Sequence, residues 1–200
     1  MPFVRIYEQF EVRQLLQSVE GVRSPVTGKE AHSRDLHAKS VLGSGGTQDN
    51  RMLHRTHRSP GESASSYSRR GQPITSAFAN LVQQGSATCD ALNSPAGKAA
   101  LAVFDDAKHV GKKLRMTLTV PVTREMGFLP GSGAPSLHVS TQDSPVVDKS
   151  QNTAVIRLII DRAPNSQRMH IQTAIPMGGP APAASWSIVE KPSNTAVASG

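Results

Sequence analysis

The chain has little of what several protein classes require. It holds one cysteine in 200 residues, which excludes an internal disulfide framework and a metal site built from several cysteines. No stretch approaches the roughly 18 consecutive apolar residues of a membrane-spanning helix. The opening residues, MPFVRIYEQF, carry early charges and lack the long apolar segment of a secretory signal. Aromatic residues make up 4% of the chain, which argues against a platform on which successive bases stack.

Acidic residues are also in deficit. The chain has 22 lysines and arginines against 15 aspartates and glutamates, a net charge of +7, and a pI near 10.0. A basic domain favours polyanionic partners, namely nucleic acid, an acidic membrane surface or an acidic protein. Residues 51–70 concentrate this charge, with five arginines and one glutamate.

Hydrophobic periodicity places helices first and strands second. Helices are predicted over residues 3–20, 51–58, 75–84 and 86–92. Strands are predicted over residues 99–107, 113–120, 136–141, 153–161 and 167–175, with 153–161 central and 167–175 its hairpin partner. This order predicts an α+β domain in which N-terminal helices pack on one side of an antiparallel sheet.

Composition divides the chain into three parts. Residues 1–30 are predicted to be an N-terminal helix and linker, and residues 31–177 the folded domain. Residues 178–200 are rich in Gly, Pro, Ala and Ser, and they are predicted to be a flexible tail.

The seven histidines are the main candidates for chemistry. His54 and His57 share the spacing of a helix face, but nothing specifies the further ligands that zinc needs, so no metal is predicted. The nucleophile elbow of hydrolases and the glycine-rich phosphate loops are missing from the sequence. Metal-free RNA cleavage fits the residue inventory better, because histidine, arginine and hydroxyl side chains suffice for it. A non-catalytic module that binds nucleic acid or another partner remains the alternative hypothesis.

A set of short motifs resembles a known family. One segment, residues 154–176, resembles the closing hairpin of bacterial RNase A-like toxin domains; it reads AVIRLIIDRAPNSQRMHIQTAIP. Those domains form the C-terminal part of contact-dependent growth inhibition proteins and related polymorphic toxins. The family motif Thr-Ala-Tyr-Pro reads here Thr173, Ala174, Ile175 and Pro176. Further pieces follow in the family's order over residues 36–177, and they are His37 before GSGGTQDN, Met52–Thr56, Pro60, Ala64–Ser68, Thr75–Gln84 and Lys108–Lys112.

The resemblance implies a kidney-shaped α+β fold like that of pancreatic-type ribonuclease, without its disulfides. It implies a metal-independent and cofactor-free endoribonuclease, often directed at tRNA. It also implies a toxin delivered by a bacterial system into the cytoplasm of a target cell and neutralised by an immunity protein. A basic toxin predicts an acidic immunity protein, because complementary fields speed association. The domain is expected to be a monomer.

The same resemblance assigns roles to residues. His37 is the expected general base or acid, Arg55 stabilises the phosphorane with Arg51 as a competitor, and Thr173 donates a hydrogen bond to phosphate. The family's tyrosine is replaced by Ile175, and alternation along a strand puts Thr173 and Ile175 on one face and His170 and Gln172 on the other. Candidates to supply the missing group are Tyr67, His57 and His138. Candidates for contacts with RNA are Arg58, Lys112 and Lys113.

Overall fold

Helices and strands follow one another in a mixed order in the computed structural model, which describes residues 5–32, 48–122 and 134–191. The helices within these ranges are α1 Gln9–Val19, α2 Gln48–Thr56, α3 Ala64–Arg70, α4 Leu81–Asn93 and α5 Pro95–Phe104, and a 3₁₀ turn at Ala107–His109 follows α5. The strands are β1 Ile74–Phe78, β2 Lys113–Pro121, β3 Ser136–Thr141, β4 Asp148–Asn152, β5 Val155–Arg162, β6 His170–Met177 and β7 Ser185–Lys191.

These strands form two antiparallel sheets. One has three strands in the order β1-β3-β4, and the other has four in the order β6-β5-β2-β7. The edge strands β1 and β6 lie side by side, and the Ser76 hydroxyl donates to the carbonyl oxygen of Pro176 at 2.6 Å. The predicted α+β class is therefore confirmed.

The core lies between the four-stranded sheet and the helices α1, α4 and α5. Alternate residues of β2 and β5 are fully buried on this side, and they are Leu114, Met116, Leu118, Ile156, Leu158 and Ile160. The helices cover them with Val12, Leu16, Leu92 and Phe104. Each such side chain contributes about 1.5–3 kcal/mol through burial. Because Val12 and Leu16 belong to this core, α1 packs as part of the same unit as the sheet.

The strongest strand predictions are confirmed. β5 lies between β6 and β2, so the apolar segment predicted as a central strand is central, and β6 is its hairpin partner. The alternating segment at 113–120 forms β2, and residues 136–141 form β3. The helical turns predicted over residues 51–58 correspond to α2.

Two element predictions are wrong. Residues 75–84 are not one helix, because Ile74–Phe78 pair with β3 and the Asn80 side chain caps α4 by accepting from the Gln83 N–H at 2.8 Å. Residues 99–107 are not a strand, because residues 99–104 form the second half of α5 and a 3₁₀ turn begins at Ala107. Ser94 caps that helix by accepting from the Gly97 N–H at 3.0 Å, and Pro95 occupies its first turn.

The predicted tail is also wrong over part of its length. Ser185–Lys191 pair with β2 along its outer edge and complete the four-stranded sheet. The Gly and Pro residues before this strand form the connection, and residues 192–200 lie outside the described part of the chain.

Candidate functional site

The four-stranded sheet has a face that points away from the core, here called the polar face. Register aligns its side chains in rows across β2, β5 and β6. The first row is Arg115, Asp161 and His170; the second is Thr117, Ile159 and Thr173; the third is Thr119, Arg157 and Ile175. The three rows therefore combine three threonines, two arginines, two isoleucines, one histidine and one aspartate.

The first row is held together by an ion pair. Arg115 donates from Nε and Nη2 to the two Asp161 carboxylate oxygens at 2.8 and 2.7 Å, and the Ser24 hydroxyl also donates to this carboxylate. Asp161 is fully buried, and its hydrogen bonds raise the pKa of the Arg115 guanidinium above its ordinary value. A buried carboxylate with these donors is satisfied. The first row therefore stabilises the sheet.

A bulge in β6 changes which side chains share the polar face. Ile159 pairs with Thr173 whereas Ile160 pairs with Ile171, so Gln172 is an extra residue without a cross-strand partner. His170 is consequently opposite Asp161, on the same face as Thr173. The prediction that His170 lies on the face opposite Thr173 is wrong, because simple alternation cannot include a bulge. Burial lowers the pKa of His170, and its Nε2 has no hydrogen-bond partner among the described residues.

Thr173 differs from Asp161 in its hydrogen bonding. Its side chain is 3% exposed, and Oγ1 has no hydrogen-bond partner among the described residues. Leaving a buried hydroxyl unpaired costs about 1–3 kcal/mol. A polar group kept at such a cost is a candidate for contact with a ligand.

Arg157 is a candidate functional residue that the sequence motifs do not identify. It is exposed and lies opposite Ile175, and its guanidinium forms no hydrogen bond or ion pair with any residue that the structure describes. Arg157 is the diagonal neighbour of Thr173 on the adjacent strand. Diagonal neighbours lie about 7–8 Å apart, within reach of a long side chain. The signal that marks it is one arginine inside the otherwise apolar run AVIRLII.

Arg55 lies on α2, which packs against β1 and β3. It is half-buried, burial lowers its pKa, and no carboxylate in the described ranges pairs with its guanidinium. Phe78 of β1 and Leu158 of β5 pack in the same core, so they mark the core-facing side of the two sheets. The Thr56 hydroxyl of α2 bonds the Ser140 hydroxyl, which lies on the opposite face of the three-stranded sheet. α2 and the polar face therefore lie on the same side of the two sheets.

Two candidates for the missing tyrosine meet around Thr56. His57 Nδ1 and the Thr56 hydroxyl are 2.9 Å apart, and the Tyr67 hydroxyl donates to the Thr56 carbonyl oxygen while accepting from Gln142 Nε2 at 3.0 Å. These bonds hold α2 and α3 against β3. Neither side chain contacts the Thr173 hydroxyl.

The remaining predicted residues are scattered. His138 lies on β3 opposite Ala77, Arg58 donates from Nε to the Glu62 carbonyl oxygen, and Lys112 pairs with Glu190 at 2.8 Å. Lys113 begins β2 and is half-exposed. His37 and the side chain of Arg51 lie outside the described part of the structure.

Comparisons with protein-family models, with curated proteins and with solved structures find no match to this chain. Over the described residues, no helix combines the length and apolar character needed to cross a membrane. Within the same residues, no three His, Cys, Asp or Glu side chains are grouped so that they could hold a metal ion.

Proposed function

We propose that the polar face binds RNA and cleaves it without a metal. The observation that carries the proposal is that the buried Thr173 hydroxyl and the exposed Arg157 guanidinium, diagonal neighbours on β6 and β5, have no hydrogen-bond partner among the described residues. A hydroxyl donor and a cation suit a phosphodiester, whose oxygens accept hydrogen bonds and carry negative charge. The net charge of +7 supplies long-range attraction for the same substrate.

The proposed reaction is attack of the ribose 2′-OH on the adjacent phosphorus. A base removes the 2′-OH proton, the new P–O bond forms, and the bond to the 5′-oxygen breaks as an acid protonates that oxygen. The products are a 2′,3′-cyclic phosphate and a free 5′-OH. Thr173 and Arg157 stabilise the charge that develops on the phosphorane, with Arg55 as a second cation on the same side of the sheets.

His37 is the proposed base or acid. His37 follows His32 by five residues in the sequence. The backbone N–H of His32 donates to the backbone carbonyl oxygen of Gln172, the residue before Thr173, at 3.4 Å. An imidazole suits this task because its pKa lies near neutral pH.

This activity agrees with the resemblance to RNase A-like toxin domains. In that proposal the chain is a kidney-shaped endoribonuclease domain, its substrate is tRNA, and a bacterial delivery system carries it into the target cytoplasm. An acidic immunity protein would cover the basic polar face, because opposite charges favour association.

One observation favours a second candidate function. Ile175 presents a half-buried apolar side chain next to Thr173, at the position of the family's tyrosine. A face that holds phosphate with Arg157 and Thr173 but lacks a proton donor at this point would bind RNA without cleaving it.

The test is incubation of the purified protein with total bacterial RNA in EDTA. We expect discrete tRNA fragments with cyclic-phosphate ends. Thr173→Val should lower the initial rate about 100-fold, which is the effect of removing one preorganised donor, whereas Thr173→Ser should retain most of the rate. Arg157→Gln should reduce the rate and Arg69→Gln, an exposed arginine on α3, should not.

His37→Ala completes the experiment. Loss of cleavage with an unchanged melting temperature would place His37 in the reaction. Cleavage by Thr173→Val at the parent rate would remove the polar face from the mechanism. Intact RNA that nevertheless binds through Arg157 would favour the binding module.

A further inference from the structure

A second polar site lies at the opposite side of the four-stranded sheet. It is a cavity of about 400 Å³, and its wall includes Arg5, Asp105, His109, Arg162, Asn165 and Gln167. Arg162 ends β5 on the core-facing side, one residue after Asp161, which belongs to the polar face. The cavity is therefore separated from Thr173 by the sheet itself, and none of its residues belongs to the proposed RNA site.

Arg162 is the fixed cation of this cavity. It is 5% exposed, its guanidinium stacks 4.8 Å from the centre of the Phe104 ring, and Nη1 donates to Asp105 at 3.1 Å. These contacts fix the plane of the guanidinium. An arginine has five N–H donors in a rigid fork, so donors remain for a ligand beside Phe104.

His109 is the second ordered group. It is 9% exposed, and Nδ1 lies 3.0 Å from the Glu190 carboxylate, which Lys112 also contacts at 2.8 Å. The hydrogen bond from Lys112 is the main cause that lowers the pKa of Glu190, and the hydrogen bond with His109 lowers it further. Because an ionised carboxylate can only accept, Nδ1 carries the hydrogen. The other nitrogen, Nε2, can then accept a hydrogen bond from a phosphate hydroxyl.

We propose that this cavity binds the phosphate group of a small phosphomonoester such as a mononucleotide. Arg162 and His109 receive the phosphate, and Arg5 adds charge at the entrance. Asn165, Ser166 and Gln167 line the remaining wall and offer amide and hydroxyl groups to a sugar. A volume of about 400 Å³ is within the range of small-molecule sites.

The geometry favours a phosphate over a simple carboxylate. One arginine is enough to bind both oxygens of a planar carboxylate. Here two separate groups, Arg162 and His109, line the same cavity. The three oxygens of a phosphomonoester can meet both groups together. The carboxylate in the wall, Asp105, is already paired with Arg162.

The test is calorimetric titration of the full chain with AMP and, separately, with inorganic phosphate. We expect AMP to bind and to shift the amide resonances of Asn165, Ser166 and Gln167. His109→Gln and Arg162→Lys should each weaken binding at least 10-fold, the second because lysine keeps the charge but loses the fork. Lys29→Gln removes an exposed cation that lines none of the described cavities, and it should bind like the parent.

The two probes distinguish the sources of the phosphate. AMP binding more tightly than inorganic phosphate would identify a nucleotide site, and equal affinities would identify a site for free phosphate. Binding that is unchanged in both variants, or no shift of the three amides, would overturn the proposal. RNA cleavage by His109→Gln should stay at the parent rate, so failure here is distinguishable from failure of the ribonuclease proposal.

Discussion

Two buried polar groups on the polar face, the Asp161 carboxylate and the Thr173 hydroxyl, differ in their hydrogen bonding. In the first row Asp161 is fully buried, and Arg115 and Ser24 supply it with three hydrogen bonds. In the second row Thr173 is almost as buried, yet its hydroxyl has no partner among the described residues. Burial of a polar group is therefore not by itself a sign of function. A satisfied group stabilises the fold, and an unsatisfied group on the same face is a candidate for contact with a ligand.

The largest expected effect is on the free energy of unfolding, and it separates substitutions of two arginines on the polar face. Arg115→Met leaves the buried Asp161 carboxylate without its main partner, and we expect the free energy of unfolding to fall by about 3–5 kcal/mol. Arg157→Met removes an exposed guanidinium that has no partner within the described ranges, and its effect should stay within about 0.5 kcal/mol. Urea unfolding of both variants measures the difference.

RNA cleavage should respond in the reverse order once the folded fraction is taken into account. Arg157→Met should lose activity while keeping stability, and folded Arg115→Met should keep most of its activity. Equal destabilisation by the two substitutions would show that the ion pair of Arg115 with Asp161 does not stabilise the fold.

The sequence predicts the central sheet well because its signal is local. The apolar run at 155–160 and the alternation at 113–120 contain enough buried side chains to define β5 and β2. The errors occur where local signals conflict. Ala77 and Phe78 have a spacing that also suits a helix, and only pairing with β3 decides for a strand. Ser185–Lys191 becomes a strand because β2 offers it an edge, which no local pattern reveals.

The candidate site is less predictable than the fold. A motif identifies Thr173, but its missing hydrogen bond depends on what the fold places around it. No pattern in the sequence reveals the bulge at Gln172, so simple alternation predicts the wrong face for His170. The sequence pattern does not identify Arg157, because an arginine in an apolar strand has no partner in the sequence. It becomes a candidate only when register places it opposite Ile175.

A smaller effect is expected at Ile175 itself. Ile175→Tyr places a phenol beside Arg157 on the face of Thr173, and one added donor to the phosphate should raise the initial rate of RNA cleavage about 10-fold, or about 1.4 kcal/mol. Ile175→Phe adds the ring without the hydroxyl and should give no increase. A gain with both substitutions would attribute the effect to packing rather than to the phenol.

The smallest effect concerns His170, which lies beside the satisfied Asp161. Burial lowers its pKa below the ordinary value of 6.5, so the unfolded chain binds the proton before the folded chain does. Stability is therefore complete above pH 6.5 and is lost as the pH falls towards the folded-state pKa. His170→Gln removes this titration while keeping a polar side chain, and it should lose less stability than the parent between pH 7.5 and about pH 5.5. Urea unfolding at the two pH values measures the loss, and an identical loss in both proteins would mean that burial does not keep His170 neutral. In that case the attraction of Asp161 outweighs desolvation, and the first row would tolerate a charge that we expect it to exclude.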